Sequence, residues 1–246
     1  MKTRLLSTLF ALTLLVVSCK KQNEKQEENP TDTTTEVAEF RELFDGENFT
    51  GWRLYGGDEA GKAWKIEEGA LVFYPPAERP QGESYNLVSE EEFTNFELSL
   101  EWKIQKNGNS GIFWGVYESE EFGQPYQTGP EIQVLDNQGH PDALNGEDRQ
   151  AGALYDMVPP SEDHTNAAGE WNECILHVNH ETGQGWVKMN GKLIVTFPVK
   201  GDGWNNLVKE SKFADWKGFG DYPKGRLGLQ DHGDTVAYRK IKIKEL

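Results

Sequence analysis

Between Phe96 and Ile104 apolar and polar residues alternate without a break: Phe96, Leu98, Leu100, Trp102 and Ile104 share one parity, and Glu97, Ser99, Glu101 and Lys103 the other. A period of two over that length predicts a strand with one packed face and one wet face. Residues 186–197 predict a hairpin, because Asn190-Gly191 separates two alternating segments and supplies the two positive-φ residues of a tight type I′ turn. Further strands are predicted at 111–116, 171–178, 225–229 and 236–243; in the last, Ile241 and Ile243 alternate with lysines. Arg239 shares the parity of Ile241, so a structural ion pair with a carboxylate is expected there. Clusters of Gly, Asn, Asp and Pro separate these segments and no long 3.6-residue periodicity appears, which makes the chain all-β. Residues 201–222, rich in Trp and Asn, read as a long loop with at most a helical turn, and loops of that length usually carry function.

The amino terminus has a different pattern. Lys2 and Arg4 precede an apolar run from Leu9 to Val17, followed by Ser18 and Cys19. Such a run is too short to span the ~30 Å hydrocarbon core and has the layout of a signal peptide. Val16-Val17-Ser18-Cys19 fits the pattern at which bacterial lipoproteins are cut and acylated, so residues 1–18 are expected to be removed and Cys19 lipidated. An ordinary cleaved secretory peptide with a chance cysteine is the alternative. From Lys20 to Glu39 the chain reads KKQNEKQEENPTDTTTEVAE, charged and nearly free of apolar side chains, the composition of a disordered tether. Three segments are therefore expected: leader 1–18, tether 19–39 and a β-domain 40–246. The expected address is the cell envelope, facing the periplasm or the outer surface, with the membrane contacted through the lipid alone.

Charge and cysteine content narrow the function. The formal net charge is −16, and the leader contributes only positive side chains, so the exported part is more acidic still. A domain without a basic stripe is not built to neutralise phosphates, which argues against nucleic acid as a partner; an uncharged ligand such as a carbohydrate is compatible. With Cys19 committed to lipid, Cys174 has no partner for an intrachain disulfide, and its alternation with Leu176 and Val178 marks it as a buried small hydrophobe.

Two stretches carry candidate chemistry. In 128–140, TGPEIQVLDNQGH, Ile132 and Val134 take one parity and Glu131 and Gln133 the other, so two polar groups face the same way about 7 Å apart. Asp136, Asn137 and His140 close that strand end. At 225–233, Leu227 and Leu229 point one way and Arg226, Gln230 and His232 the other, with Asp231 beside them. A solvated outer face in the first stretch and a turn cap in the second would explain the same residues without chemistry. Two carboxylates and two imidazoles from separate strand ends are what acid–base work requires if they open onto one cavity.

The segments LFDGENFTGW at 43–52, GNSGIFWG at 108–115, TGPEIQVLDN at 128–137, AGALYD at 151–156, GEWN at 169–172, MNGK at 189–192 and GLQDHG at 228–233 occur in that order. Together they resemble the bacterial 3-keto-disaccharide hydrolase domain family over residues 40–246. The resemblance implies a two-sheet jelly-roll sandwich, concanavalin A-like and laminarinase- or glucanase-like, with its ligand groove on the concave sheet. It also implies a substrate whose 3-hydroxyl has already been oxidised by a sugar 3-dehydrogenase, hence a functional link to such an enzyme. The C3 ketone acidifies the C2 proton, a base removes it, the C1 substituent leaves, and water adds to give the free 3-keto sugar. On this resemblance Glu131 and His232 are the leading base and acid, with Asp231 and His140 orienting them. Gln133, Asn137 and Gln230 are expected to bind hydroxyls, and Tyr155, Trp114 and Trp204 to stack on sugar faces unless they belong to the core. A basic residue is expected soon after the NSGI segment, whereas this chain has Trp114, Gly115 and Val116.

No cofactor is required by this chemistry. Glu131, Asp231, His140 and His232 are suitable ligand types for a divalent metal, yet no dense motif of the HExxH kind is present. Two other functions share the fold. A retaining glycosidase is suggested by the E-x-Q-x-x-D strand, which is similar to a laminarinase-type E-x-D-x-x-E but one carboxylate short. The other is a carbohydrate-binding lipoprotein without catalysis.

Overall fold

The computed structural model describes residues 39–80 and 83–246. The expected leader, Cys19 and the tether up to residue 38 lie outside the described residues. The strands are β1 (Arg41–Glu42), β2 (Trp52–Leu54), β3 (Trp64–Glu67), β4 (Ala70–Phe73), β5 (Leu87–Phe93), β6 (Phe96–Ile104), β7 (Asn109–Val116), β8 (Glu131–Leu135), β9 (Asn172–Asn179), β10 (Gln184–Met189), β11 (Lys192–Pro198), β12 (Gly225–Leu229) and β13 (Val236–Glu245). They form two antiparallel sheets. One has eight strands in the order β11-β10-β9-β6-β13-β4-β3, with β1 also on β13; the other has five, in the order β2-β5-β12-β7-β8. This is the expected all-β jelly-roll sandwich.

Strand parity builds the core. Along β6 burial alternates residue by residue, as the sequence pattern predicts. Leu98, Leu100 and Trp102 meet Ile112, Trp114, Ile132, Val134, Leu227 and Leu229 of the five-stranded sheet in one apolar cluster. Each such side chain taken fully out of water contributes roughly 1.5–3 kcal/mol. Cys174, paired with Leu100 across β6 and β9, lies in the same core, where burial pushes its thiol up to about 12 and leaves it inert.

The Asn190-Gly191 turn forms as expected, with φ of 48° and 78°. The Asn190 side chain accepts from the Glu173 amide at 2.9 Å and donates to the His164 carbonyl at 2.7 Å, so the turn also ties down the neighbouring strand. In β13 the register shifts between Arg239 and Lys242. That bulge turns Arg239 outward, where its Nε donates to Glu101 at 2.6 Å and its guanidinium lies over Trp171, the structural ion pair expected from the sequence.

The segment after β11 differs from expectation. Gly201–Glu210 is a ten-residue helix, α1, where a loop with at most one helical turn was predicted. Its glycines and asparagines are poor helix formers, but Trp204 is buried 5.8 Å from Trp114 and fixes the helix to the sandwich edge. A side chain on Gly220 would collide with Trp204 at 2.4 Å, and the Gly220 amide donates to Thr128 at 2.8 Å. Helix α1 and its close contact with Gly220 thus set the course of the chain through 211–220, over the start of β8.

Candidate active site

On β7, Ser110, Ile112 and Trp114 face the inter-sheet core, so Asn109, Gly111 and Phe113 face away from it. In the β7–β8 register Gly111 is opposite Gln133 and Phe113 opposite Glu131, which puts both polar residues of β8 on that outer face. Gln230, just past β12, joins them: its amide donates to the Gly111 carbonyl at 2.8 Å. A pocket of about 290 Å³ opens here, lined by Asn109, Glu131, Gln133, Gln230 and His232, with Tyr155, Lys212, Phe213 and Trp216 as its walls. The two stretches that the sequence singled out, around residue 131 and around residue 230, therefore meet in one hollow.

Gly111 is what lets Glu131 sit there. A Cβ at that position would come within 2.1 Å of the Glu131 Oε1, so the carboxyl lies directly on bare backbone. Enclosure pushes the Glu131 carboxyl up to about 8; Lys212 and the Gln230 amide oppose the shift, and Asp142 adds to it. His232 stands at the mouth, open to solvent on one side. Its enclosed side lowers its pKa below the ordinary imidazole value, an effect opposed by Asp234 and reinforced by His140. At neutral pH the pocket thus holds a protonated carboxyl and a neutral imidazole. Two further acceptors, Asn109 Oδ1 and Gln230 Oε1, are buried with no hydrogen-bond partner among the described residues, and both residues line the pocket. Buried carbonyl oxygens in that state favour a ligand with hydroxyl donors.

One wall is an ordered polar network. Tyr155 OH accepts from Arg149 Nη1 at 2.9 Å and donates to Asp142 at 3.1 Å; Arg149 also pairs with Asp156. The Lys212 amide donates to Asp156 at 2.6 Å, and its ammonium lies 4.1 Å from the Tyr155 ring centre. Burial lowers the Lys212 pKa and the Arg149 charge adds to this, while Glu131, Asp156 and Asp142 raise it. Lys212 is the cation lining the pocket.

Several expected site residues stand elsewhere. Asp231 turns away from the pocket: Arg79 donates to both its carboxylate oxygens, at 3.0 and 2.6 Å, and the Tyr85 amide adds a third bond at 2.8 Å. Its role is structural: the buried carboxylate pairs with the partly exposed Arg79 and pins the segment before β5 to the end of β12. Trp114 and Trp204 are core residues that pack on each other, and neither reaches the pocket. His140 caps the 3₁₀ turn Pro141–Leu144, its Nδ1 accepting from the Asp142 amide at 3.1 Å; its ring lies 6.3 Å from that of His232, nearly perpendicular to it. Asn137 holds the 151 backbone through its Oδ1, and Arg226 pairs with Glu118 at 2.9 Å away from the site. With Asp231 saturated by Arg79, the four suggested metal ligands do not form one donor set, and among the described residues no group of three or more His, Cys, Asp or Glu is placed to hold an ion. Of the expected residues, Glu131, Gln133, Tyr155, Gln230 and His232 line the pocket. Asn109, Tyr126, Lys212, Phe213 and Trp216 were not anticipated; the aromatic density of 201–222 was the available signal for the last two.

A family model described as a 3-keto-alpha-glucoside-1,2-lyase-like domain matches residues 39–244. A 3-keto-disaccharide hydrolase of Bacteroides thetaiotaomicron is 35% identical over 257 aligned residues, covering 94% of this chain and 87% of that protein. A solved structure from Parabacteroides distasonis, whose description as a glycosyl hydrolase is provisional, superposes with a TM-score of 0.76 at 30% identity, over 84% of this chain and 94% of that one. A second structure from the same organism, at 24% identity and a TM-score of 0.62 over 85% of this chain and 100% of the other, shares the fold.

Proposed function

The chain belongs to the family of 3-keto-alpha-glucoside-1,2-lyase-like domains, and on that premise we propose that it cleaves 3-keto-glycosides by elimination across C1 and C2 followed by addition of water. The observation that carries this reading is the pairing in one pocket of a carboxyl raised to about 8 with an imidazole lowered below its usual value. Opposed shifts of this kind assign the acid and the base. The assignment is the reverse of the one expected from sequence: neutral His232 takes the C2 proton, and protonated Glu131 gives its proton to the departing glycosidic oxygen. The enolate charge that develops on the C3 oxygen is met by the Lys212 ammonium, and the Asn109 and Gln230 carbonyls accept sugar hydroxyls. Water then adds at C1 of the enone and gives its proton to the Glu131 carboxylate, while protonated His232 returns a proton to C2. Both groups regain their starting states.

Glu131 is the only carboxylate lining the pocket among the described residues. A retaining or inverting glycosidase needs two flanking the scissile bond, so the pocket favours elimination over that chemistry. We further propose that the enzyme works from the cell envelope, tethered through Cys19, downstream of an oxidoreductase that makes the ketone. The test is aglycone release from an oxidised glycoside and from its unoxidised parent. Release from the oxidised compound alone is expected; equal cleavage of both would reject the keto-sugar reading, and cleavage of neither would leave a carbohydrate-binding protein.

A further inference from the structure

In the reaction proposed above, the Lys212 ammonium meets the enolate, and it can do so only if it points into the pocket. Lys212 has a side open to solvent, and its flexible four-carbon stem keeps one direction only when its surroundings restrain it. The restraint comes from residues 149–156, with Asp156 as the junction. The Asp156 side chain is 10% exposed; one carboxylate oxygen pairs with Arg149, and the other accepts from the Lys212 amide at 2.6 Å. Its own amide donates to the Asp148 carbonyl at 3.0 Å. Arg149 also donates to Tyr155 OH at 2.9 Å, and the Tyr155 ring centre lies 4.1 Å from the Lys212 Nζ. These contacts close a circuit, from Asp156 through Arg149, Tyr155 and Lys212 back to Asp156. The Asp156 backbone is at φ 60°, in the left-handed region that strains most residues with a Cβ and that Asp and Asn tolerate best. Strain of this kind is held by its surroundings and gathers at functional sites. Here two successive residues serve one lysine: the Tyr155 ring faces its ammonium and the Asp156 carboxylate holds its amide. At the other end of the segment 211–220 the Gly220 amide is bonded to Thr128, and between the two ends Phe213 and Phe219 stack 3.9 Å apart at 8°.

We infer that Asp156 is a positioning residue for the reaction: by holding the Lys212 amide and, through Arg149, the Tyr155 ring, it aims the Lys212 ammonium into the pocket. The inference rests on the function proposed above. Asp156 does not itself line the pocket, so its effect reaches the substrate through Lys212.

The experiment is a double-mutant cycle read in kcat and KM on a 3-keto-glycoside, with thermal melting in parallel. Asp156→Gly removes the carboxylate and accepts the positive φ. It is expected to lower kcat about 30-fold with KM little changed, and Lys212→Met to lower kcat about 100-fold. The double variant is expected to match Lys212→Met alone, because a residue that acts through another then has nothing left to position. Losses that multiply in the double variant would overturn the inference, as would an unchanged kcat in Asp156→Gly. If melting shows Asp156→Gly to be unfolded, Asp156→Asn takes its place in the cycle. Its one acceptor oxygen cannot serve both the Lys212 amide and Arg149, so a smaller loss, again absent from the Lys212→Met background, is expected. If wild type cleaves no 3-keto-glycoside, the functional reading fails by itself, and NMR of the protein dimethylated at its lysines with labelled formaldehyde decides the placement. The Lys212 methyl resonance, assigned by its absence from Lys212→Met, is expected upfield of those of exposed lysines through the Tyr155 ring current. Its return to the exposed position in Asp156→Gly supports the inference; a resonance unmoved by that substitution overturns it.

Discussion

Glu131, on β8, and Asp231, just past the end of β12, are both carboxylates of the five-stranded sheet, and what surrounds each sets its chemistry. Asp231 is saturated by Arg79 and the Tyr85 amide, whereas Glu131 is enclosed, with only the Lys212 charge and the Gln230 side-chain amide opposing the effect of burial. A proton donor matters most for a poor leaving group, so Glu131→Gln is expected to lower kcat on an alkyl 3-keto-glycoside about 100-fold and to act far more weakly on a nitrophenyl one; equal losses on both would reject Glu131 as the acid. Its raised pKa also affects folding. Between the ordinary carboxylate value and about 8 the native protein binds a proton that the unfolded chain does not, so Glu131 costs stability as pH rises through that window. Urea denaturation of Glu131→Gln should show that cost removed, with the variant gaining on wild type from pH 5 to pH 9. Gly111→Ala places a methyl group on the Glu131 carboxyl, and activity is expected to fall about 100-fold through misplacement while circular dichroism remains that of a folded sheet. At this scale Glu131, Gln230 and His232 were legible in sequence, because side-chain direction in a strand follows from parity alone. Asp231 was not, since its partner Arg79 lies far away along the chain and only the closed sandwich brings them together.

Strands and hairpin turns were readable because their signals are local. The alternation of β6 and the Asn190-Gly191 turn each lie within a few residues, and both form where expected. Helix α1 was not readable: its glycines and asparagines oppose helix, and the buried contact of Trp204 with Trp114, remote in sequence, outweighs them. The same contact removes both tryptophans from the list of sugar platforms. Trp204→Ala is therefore expected to destabilise the protein by about 3–5 kcal/mol. Because α1 leads directly into the chain bearing Lys212, Phe213 and Trp216, the variant should also lose activity at temperatures where its sheets remain folded, which parallel thermal and kinetic assays would reveal. Activity that persists up to the melting of the sheets would contradict a positioning role for α1.

For the molecule as a whole, the acidic composition argued only against nucleic acid; it was the resemblance carried by the ordered sequence segments that implied a carbohydrate enzyme of this fold, and the two sheets and the shared pocket agree with that. The walls of the pocket, built from Lys212, Trp216 and Tyr126, depend on how loops cross the sheet, which no strand pattern encodes. Anchoring belongs to this scale too. Cys19→Ala is expected to move the protein from the detergent-extracted membrane fraction to the soluble fraction without altering kcat, and an unchanged distribution would argue against lipid attachment. The central chemical claim is removal of the C2 proton before the glycosidic bond breaks. A 3-keto-glycoside carrying deuterium at C2, compared with its unlabelled parent in single-turnover measurements of aglycone release, tests it by the rate. Removal of the C2 hydrogen before C1–O cleavage predicts release several-fold slower from the deuterated compound; equal rates for the two would mean direct displacement at C1 and would contradict the mechanism.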